Sequence, residues 1–271
     1  PSDPAATGVP VRVLVVGDST AIRLADGLLP YAAAHPDQIV AGSAAYVGCG
    51  LSVATDGRMH AFTKEDGREE VIDLRGCTQG WNQILERVRS GVEAVDVVLV
   101  DIGPWDGVDI HLTDGRVVSV IDPVGRRMVA GAYRQFVTAV EAAGPRVVWV
   151  TPADLHLAWR GTPSPIDDPR RWQALRAIVD ALPVEQIDLP SWLHRNDLDG
   201  PEGRPDGVHL TREANARFVE TNVVPFLLRL PPEQPTAAVP PPAEDTPGLP
   251  PLVCTDLDLS LLGATIAPAC R

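Results

Sequence analysis

No stretch of 18 or more consecutive apolar residues occurs in the chain, so the sequence offers no candidate transmembrane helix. Cationic excess is missing as well: 23 Lys and Arg stand against 36 Asp and Glu, a formal charge of −13. A chain of that sign is repelled by nucleic acid and by anionic membrane surfaces, which excludes both as partners held by general attraction. The signatures of several enzyme classes are absent too. There is no phosphate loop ending in Gly-Lys-Ser/Thr, no H-E-x-x-H and no G-x-S-x-G, and Gly48-Cys49-Gly50 lacks the third glycine of a dinucleotide fingerprint. The four cysteines, Cys49, Cys77, Cys254 and Cys270, include no C-x-x-C pair, and none of the six histidines stands at zinc-ligand spacing from them. Neither a metal site nor a cofactor is expected. The first ten residues carry no initiator methionine, basic segment or apolar segment and read as a trimmed linker.

What is present is a globular composition, 45% hydrophobic and 22% charged over 271 residues, enough for one large α/β domain with an appendage. Residues 11–15 form an apolar strand, and helical spacing runs over about 20–34. Extended segments follow at 39–46, 96–100, 146–150 and 184–189, alternating with helices at 79–89, 126–143, 170–181 and 211–228. Five strands separated by helices predict a doubly wound, flavodoxin-like three-layer sandwich around a parallel sheet. Residues 54–76 suit a surface hairpin or long loop, and residues 107–125, with Val117–Ile121 at their centre, an excursion from the sheet. The segment 231–251, with nine prolines, predicts a stiff linker between a domain at 11–230 and a tail at 252–271. An even cysteine count in two neighbourhoods fits disulfides Cys49–Cys77 and Cys254–Cys270 and an extracytoplasmic setting; the alternative is four reduced, buried thiols.

Two features suggest chemistry. Asp18, Ser19 and Thr20 follow the first strand and open its helix, so Ser19 sits at the carboxyl end of a strand beside free helix amides, where an anion would be stabilised. An N-cap role alone for Ser19 or Thr20 is the competing reading. Asp206-Gly207-Val208-His209, the one D-x-x-H in the chain, follows the fifth strand and precedes a helix that Thr211 can cap. Such a turn can set a carboxylate against one imidazole nitrogen while the other faces a serine hydroxyl.

With these residues the sequence resembles the SGNH, or GDSL-type, hydrolase family. Gly17-Asp18-Ser19 matches its first block, the Gly48 turn its second and Asp206–His209 its last, in order across residues 11–228. The resemblance implies Ser19 as nucleophile, His209 as general base, Asp206 as its partner, and an oxyanion hole from the backbone N–H groups of Ser19 and Gly48. The third block departs from the pattern. Gly-x-Asn-Asp becomes Gly103-Pro104-Trp105-Asp106, so the asparagine that completes the hole is a tryptophan, and Asn82 or a backbone amide is left as substitute. This variant wording is most similar to SGNH domains fused to actinobacterial acyltransferase-3 membrane proteins. That implies an acyl donor and a cell-envelope carbohydrate acceptor as partners, a membrane acyltransferase domain in the same parent chain, and a tether through a missing N-terminal region.

Three readings follow: a serine O-acyl transferase or esterase on an envelope glycan, a carbohydrate-binding or acceptor-positioning module, or a secreted esterase or lipase. Asp18, Trp105 and Asp106 are candidates for substrate contact, as are Trp159 for a sugar platform and Arg160, Arg170 and Arg171 for an anionic group. Each has a bland alternative in a solvated loop or helix start. Asp101, Asp106, Asp109 and His111 suggest a cation site only weakly, because the turn glycines of oxygen-ligand loops are not at the required positions. Trp149, within a strand, belongs to the core.

Overall fold

The computed structural model describes residues 9–52, 59–63, 69–72, 75–91, 94–112, 115–156 and 165–231. The apolar runs become the centre of a five-stranded parallel sheet: β1 (Val11–Gly17), β2 (Ile39–Ala45), β5 (Val97–Asp101), β8 (Arg146–Val150) and β9 (Glu185–Ile187). Their spatial order is β2-β1-β5-β8-β9, the doubly wound, flavodoxin-like order with its switch between β1 and β5. The expected fold class is therefore observed.

Strand alternation sorts the apolar residues into two layers. Val13, Val15, Leu99 and Val148 face α1 (Ser19–Ala34), α6 (Arg212–Phe218) and α7 (Val224–Arg229) through Leu24, Leu28, Phe218 and Leu227. Leu14, Val16, Val100 and Trp149 face α2 (Arg75–Ser90), α3 (Pro123–Glu141) and α4 (Pro169–Asp180) through Trp81, Tyr133, Phe136 and Trp172. Because the central strands are buried on both faces, their sequences are continuous apolar runs.

Several expected elements differ. The hairpin in 54–76 exists as β3 (Met59–Thr63) and β4 (Glu69–Ile72), and the excursion contributes β6 (Asp109–His111) and a two-residue β7 (Val117–Val118) in place of a longer strand. These four make a second, antiparallel sheet in the order β4-β3-β6-β7. The strand expected at 184–189 is only three residues long, since Asp188 caps α5 (Leu189–Arg195) by accepting from the Ser191 N–H at 2.9 Å. The helix expected over 211–228 is broken by a π-helical turn at Val219–Val223. Pro225 accounts for it, because it can offer no N–H to the Thr221 carbonyl four residues earlier and its ring crowds that carbonyl. The linker beyond 231, the tail and Cys254–Cys270 lie outside the described residues. No described helix is long and apolar enough to cross a membrane.

Candidate active site

Ser19 stands where β1 gives way to α1. Asp18 caps the helix: one carboxylate oxygen accepts from the Thr20 N–H at 2.9 Å and the Thr20 hydroxyl at 2.8 Å, the other from the Gly103 N–H at 3.0 Å. Ser19 is thus the first helical residue, at a positive dipole end whose next amide is already taken by Asp18. Burial pushes the Asp18 carboxyl up to about 6 against those three hydrogen bonds. Asp101, at the end of β5, is pushed to about 7 by burial and by the charge of Asp18, with the Thr20 hydroxyl opposing.

The turn before α6 brings the histidine to this point. Thr211 caps α6 by accepting from the Ala214 N–H at 3.2 Å, and ahead of it Asp206 organises its own turn, accepting from the Val208 and His209 N–H groups at 2.9 and 2.8 Å. The other Asp206 oxygen lies 2.7 Å from His209 Nδ1, and His209 Nε2 lies 2.8 Å from Ser19 Oγ. An ionised carboxylate only accepts, so Nδ1 carries the hydrogen and Nε2 presents its lone pair to the serine. Burial works to raise the Asp206 carboxyl, but the His209 side chain and the backbone amides outweigh it and hold it at about 2. The three residues expected as a triad are therefore brought together in one hydrogen-bonded chain.

Gly48, the other expected oxyanion donor, follows β2 with φ +80°, a conformation glycine adopts without strain. The disulfide Cys49–Cys77 ties the next residue to α2, as expected. A Cβ on Gly48 would lie 3.5 Å from the Trp105 ring, so the tryptophan fills the space beneath the turn.

The three candidates for substrate contact are otherwise employed. Asp18 is wholly buried, Trp105 is 6% exposed, and Asp106 is wholly buried. Asp106 accepts from the Leu51 N–H at 2.9 Å, the Ser52 N–H at 2.9 Å and the Ser52 hydroxyl at 2.5 Å. Burial raises its carboxyl while Ser52, Leu51 and the Tyr133 hydroxyl restrain it. Arg171, expected at a solvated helix start or against an anionic group, is buried and donates to the Gly107 carbonyl at 2.8 Å and to Asp109 at 2.6 Å. Arg170 is exposed and pairs with Asp168 at 2.5 Å. Asn82 is exposed on α2. Trp159 and Arg160 lie outside the described residues, and among the described residues no group of His, Cys, Asp and Glu could hold a metal ion. The Asp106 network went unread in the sequence, since Ser52 and Tyr133 carry no local motif.

No protein-family model and no curated protein matches the chain. Among solved structures it is similar to the lipase/acylhydrolase from Enterococcus faecalis, at 18% identity and TM-score 0.49 over 83% of this chain and 100% of that one. A member of the lipolytic G-D-S-L family from Veillonella parvula is similar at 15% identity and TM-score 0.47, over 78% and 97% of the two chains. The acetylxylan esterase Axe2 from Geobacillus stearothermophilus is similar at 12% identity and TM-score 0.48, over 83% and 97%. At such identities and scores, the chemistry has to be read from the side chains themselves.

Proposed function

We propose that this protein is a serine-dependent esterase or O-acyl transferase, working outside the cytoplasm on the acyl groups of a cell-envelope carbohydrate. The observation that carries this reading is the chain Ser19 Oγ, His209 Nε2, His209 Nδ1, Asp206 Oδ2, closed at 2.8 and 2.7 Å. Ser19 Oγ attacks the acyl carbonyl carbon as its proton passes to His209 Nε2. The carbon–oxygen bond to the leaving alcohol then breaks, and that alcohol takes the proton from His209. Asp206 stays ionised throughout and stabilises the imidazolium. Water, or a sugar hydroxyl, repeats the sequence on the acyl-serine and frees the enzyme. The developing oxyanion is met by the N–H groups of Ser19 and Gly48. An acyl-serine intermediate has access to either acceptor, so hydrolysis and transfer differ only in which hydroxyl reaches it. The Cys49–Cys77 disulfide supports the extracytoplasmic part of the reading, because such bonds persist in oxidising compartments.

One observation favours a second reading, a glycan-binding or acceptor-positioning module of a membrane acyltransferase. The position that holds asparagine in the resembled pattern holds the buried ring of Trp105, and losing one oxyanion donor costs about 100- to 1,000-fold in rate.

One experiment separates the two readings. Acetate release from a small activated ester is measured for the protein, Ser19→Ala and His209→Ala, with mass spectrometry of the trapped acyl adduct. The enzyme reading expects turnover that falls by about 10⁴-fold or more in both variants and an adduct on Ser19. Equal rates in all three, with glycan binding retained in Ser19→Ala, would establish the module instead.

A further inference from the structure

The Gly48 turn is held from two sides. On one, Cys49 is bonded to Cys77 of α2, and the Trp81 indole N–H donates to the Gly50 carbonyl at 3.2 Å. On the other stands Asp106, wholly buried, receiving the N–H groups of Leu51 and Ser52 and the Ser52 hydroxyl. Gly50 makes this approach possible: a Cβ there would lie 2.5 Å from Asp106 Oδ1. The carboxylate therefore accepts two successive backbone amides just past the turn, from a position one residue beyond Trp105.

We propose that Asp106 is a positioning residue of the acyl-transfer site, fixing the Gly48 N–H toward the oxyanion by clamping the Leu51 and Ser52 amides. This rests on the reading of Ser19 as nucleophile and Gly48 as oxyanion donor. A backbone donor contributes in proportion to how well its direction is fixed before charge develops, since a donor that must reorganise loses most of its advantage. With an indole where the resembled pattern has an asparagine, the hole leans on its amides, and the amide at Gly48 leans on Asp106. The role belongs to the transition state: the clamp touches neither acyl chain nor acceptor, so substrate affinity is independent of it.

The test uses the full chain as parent, Asp106→Asn and Ser52→Ala, with steady-state kinetics on an activated acetyl ester and inhibition by a trifluoromethyl ketone that forms a tetrahedral serine adduct. Asn at 106 turns an NH₂ toward one of two backbone donors, so the turn loses its register while side-chain volume is kept. The expected result is a kcat lower by about 10- to 100-fold with KM unchanged, and ketone affinity falling in parallel. Ser52→Ala, which removes one of the bonds to the carboxylate, lowers kcat by a smaller factor and carries the test alone if the Asn variant does not fold. Unchanged kcat in a folded variant overturns the positioning role, as does a loss confined to KM. If the parent itself shows no Ser19-dependent turnover, the underlying reading fails, and the inference with it. Ser19-dependent turnover with indifferent variants fails the inference alone.

Discussion

Asp18 accepts a hydrogen bond from the Gly103 amide at 3.0 Å, across 85 positions of sequence. The bond ties the turn after β1, which carries Ser19, to the loop after β5, which carries Trp105 and Asp106. Two adjacent strand ends are thereby locked together where the sheet order reverses, the place at which an open α/β sheet presents its site.

On the proposed mechanism Asp206→Asn keeps the turn but no longer fixes the imidazole tautomer. The expected loss in kcat is on the order of 10⁴-fold, read by steady-state kinetics beside the parent. The carboxyl also bears on stability. Its folded value of about 2 lies below the ordinary 3.8, so its contribution is complete above pH 3.8 and is lost as pH falls through 2. Acid unfolding, followed by circular dichroism, is expected to be shallower in the Asn variant.

Asp101 has the opposite sign. Burial and the Asp18 charge bring it to about 7 from 3.8, so the folded state is favoured below pH 3.8 and loses that advantage as pH rises through 7. Asp101→Asn, which cannot ionise, is expected to melt close to the parent at pH 4 and several degrees higher at pH 8. An equal offset at both pH values contradicts this.

The Cys49–Cys77 bridge spans a sequence separation of 28. On the chain-entropy model, closing such a loop contributes about 3.6 kcal/mol. Replacing both cysteines by serine is expected to lower the melting temperature by on the order of 10 °C, measured by differential scanning calorimetry.

Two glycines make a contrast. A Cβ on Gly17 would sit 1.8 Å from the Asp101 carbonyl oxygen and 2.8 Å from Ala21 Cβ, at a φ of +148°. Gly17→Ala is expected to abolish folding, seen as loss of the soluble protein. Gly131, inside α3, has nothing within 4 Å of that position, and Gly131→Ala is expected to stabilise by about 1 kcal/mol in chemical denaturation.

The sheet was legible because its inner strands are buried on both faces and must be apolar throughout: Val97–Val100 and Val147–Val150 admit little else. The antiparallel sheet was not. β6 and β7 are three and two residues long, too short to show a period of their own, and β6 is placed by pairing with β3 about 50 positions earlier. The meeting of Ser19, Asp206 and His209 followed from local turn chemistry and from the rule that strand ends gather at one edge. The fate of Trp105 and Asp106 did not, because it is set by Gly48, Gly50 and Ser52, more than 50 positions away, through space that missing Cβ atoms leave open.

Ser19 and His209 are 190 residues apart, and their bond has a temporal meaning as well as a spatial one. A ribosome adding 5–20 residues per second needs roughly 10–40 s to travel from one to the other. On the proposed mechanism, the nascent chain carries its serine throughout that interval without the base that would activate it, and a product ending anywhere before His209 lacks its general base. On that same reading, activation of Ser19 waits for the completed sandwich, so the order of synthesis withholds the nucleophile until there is a fold to direct it.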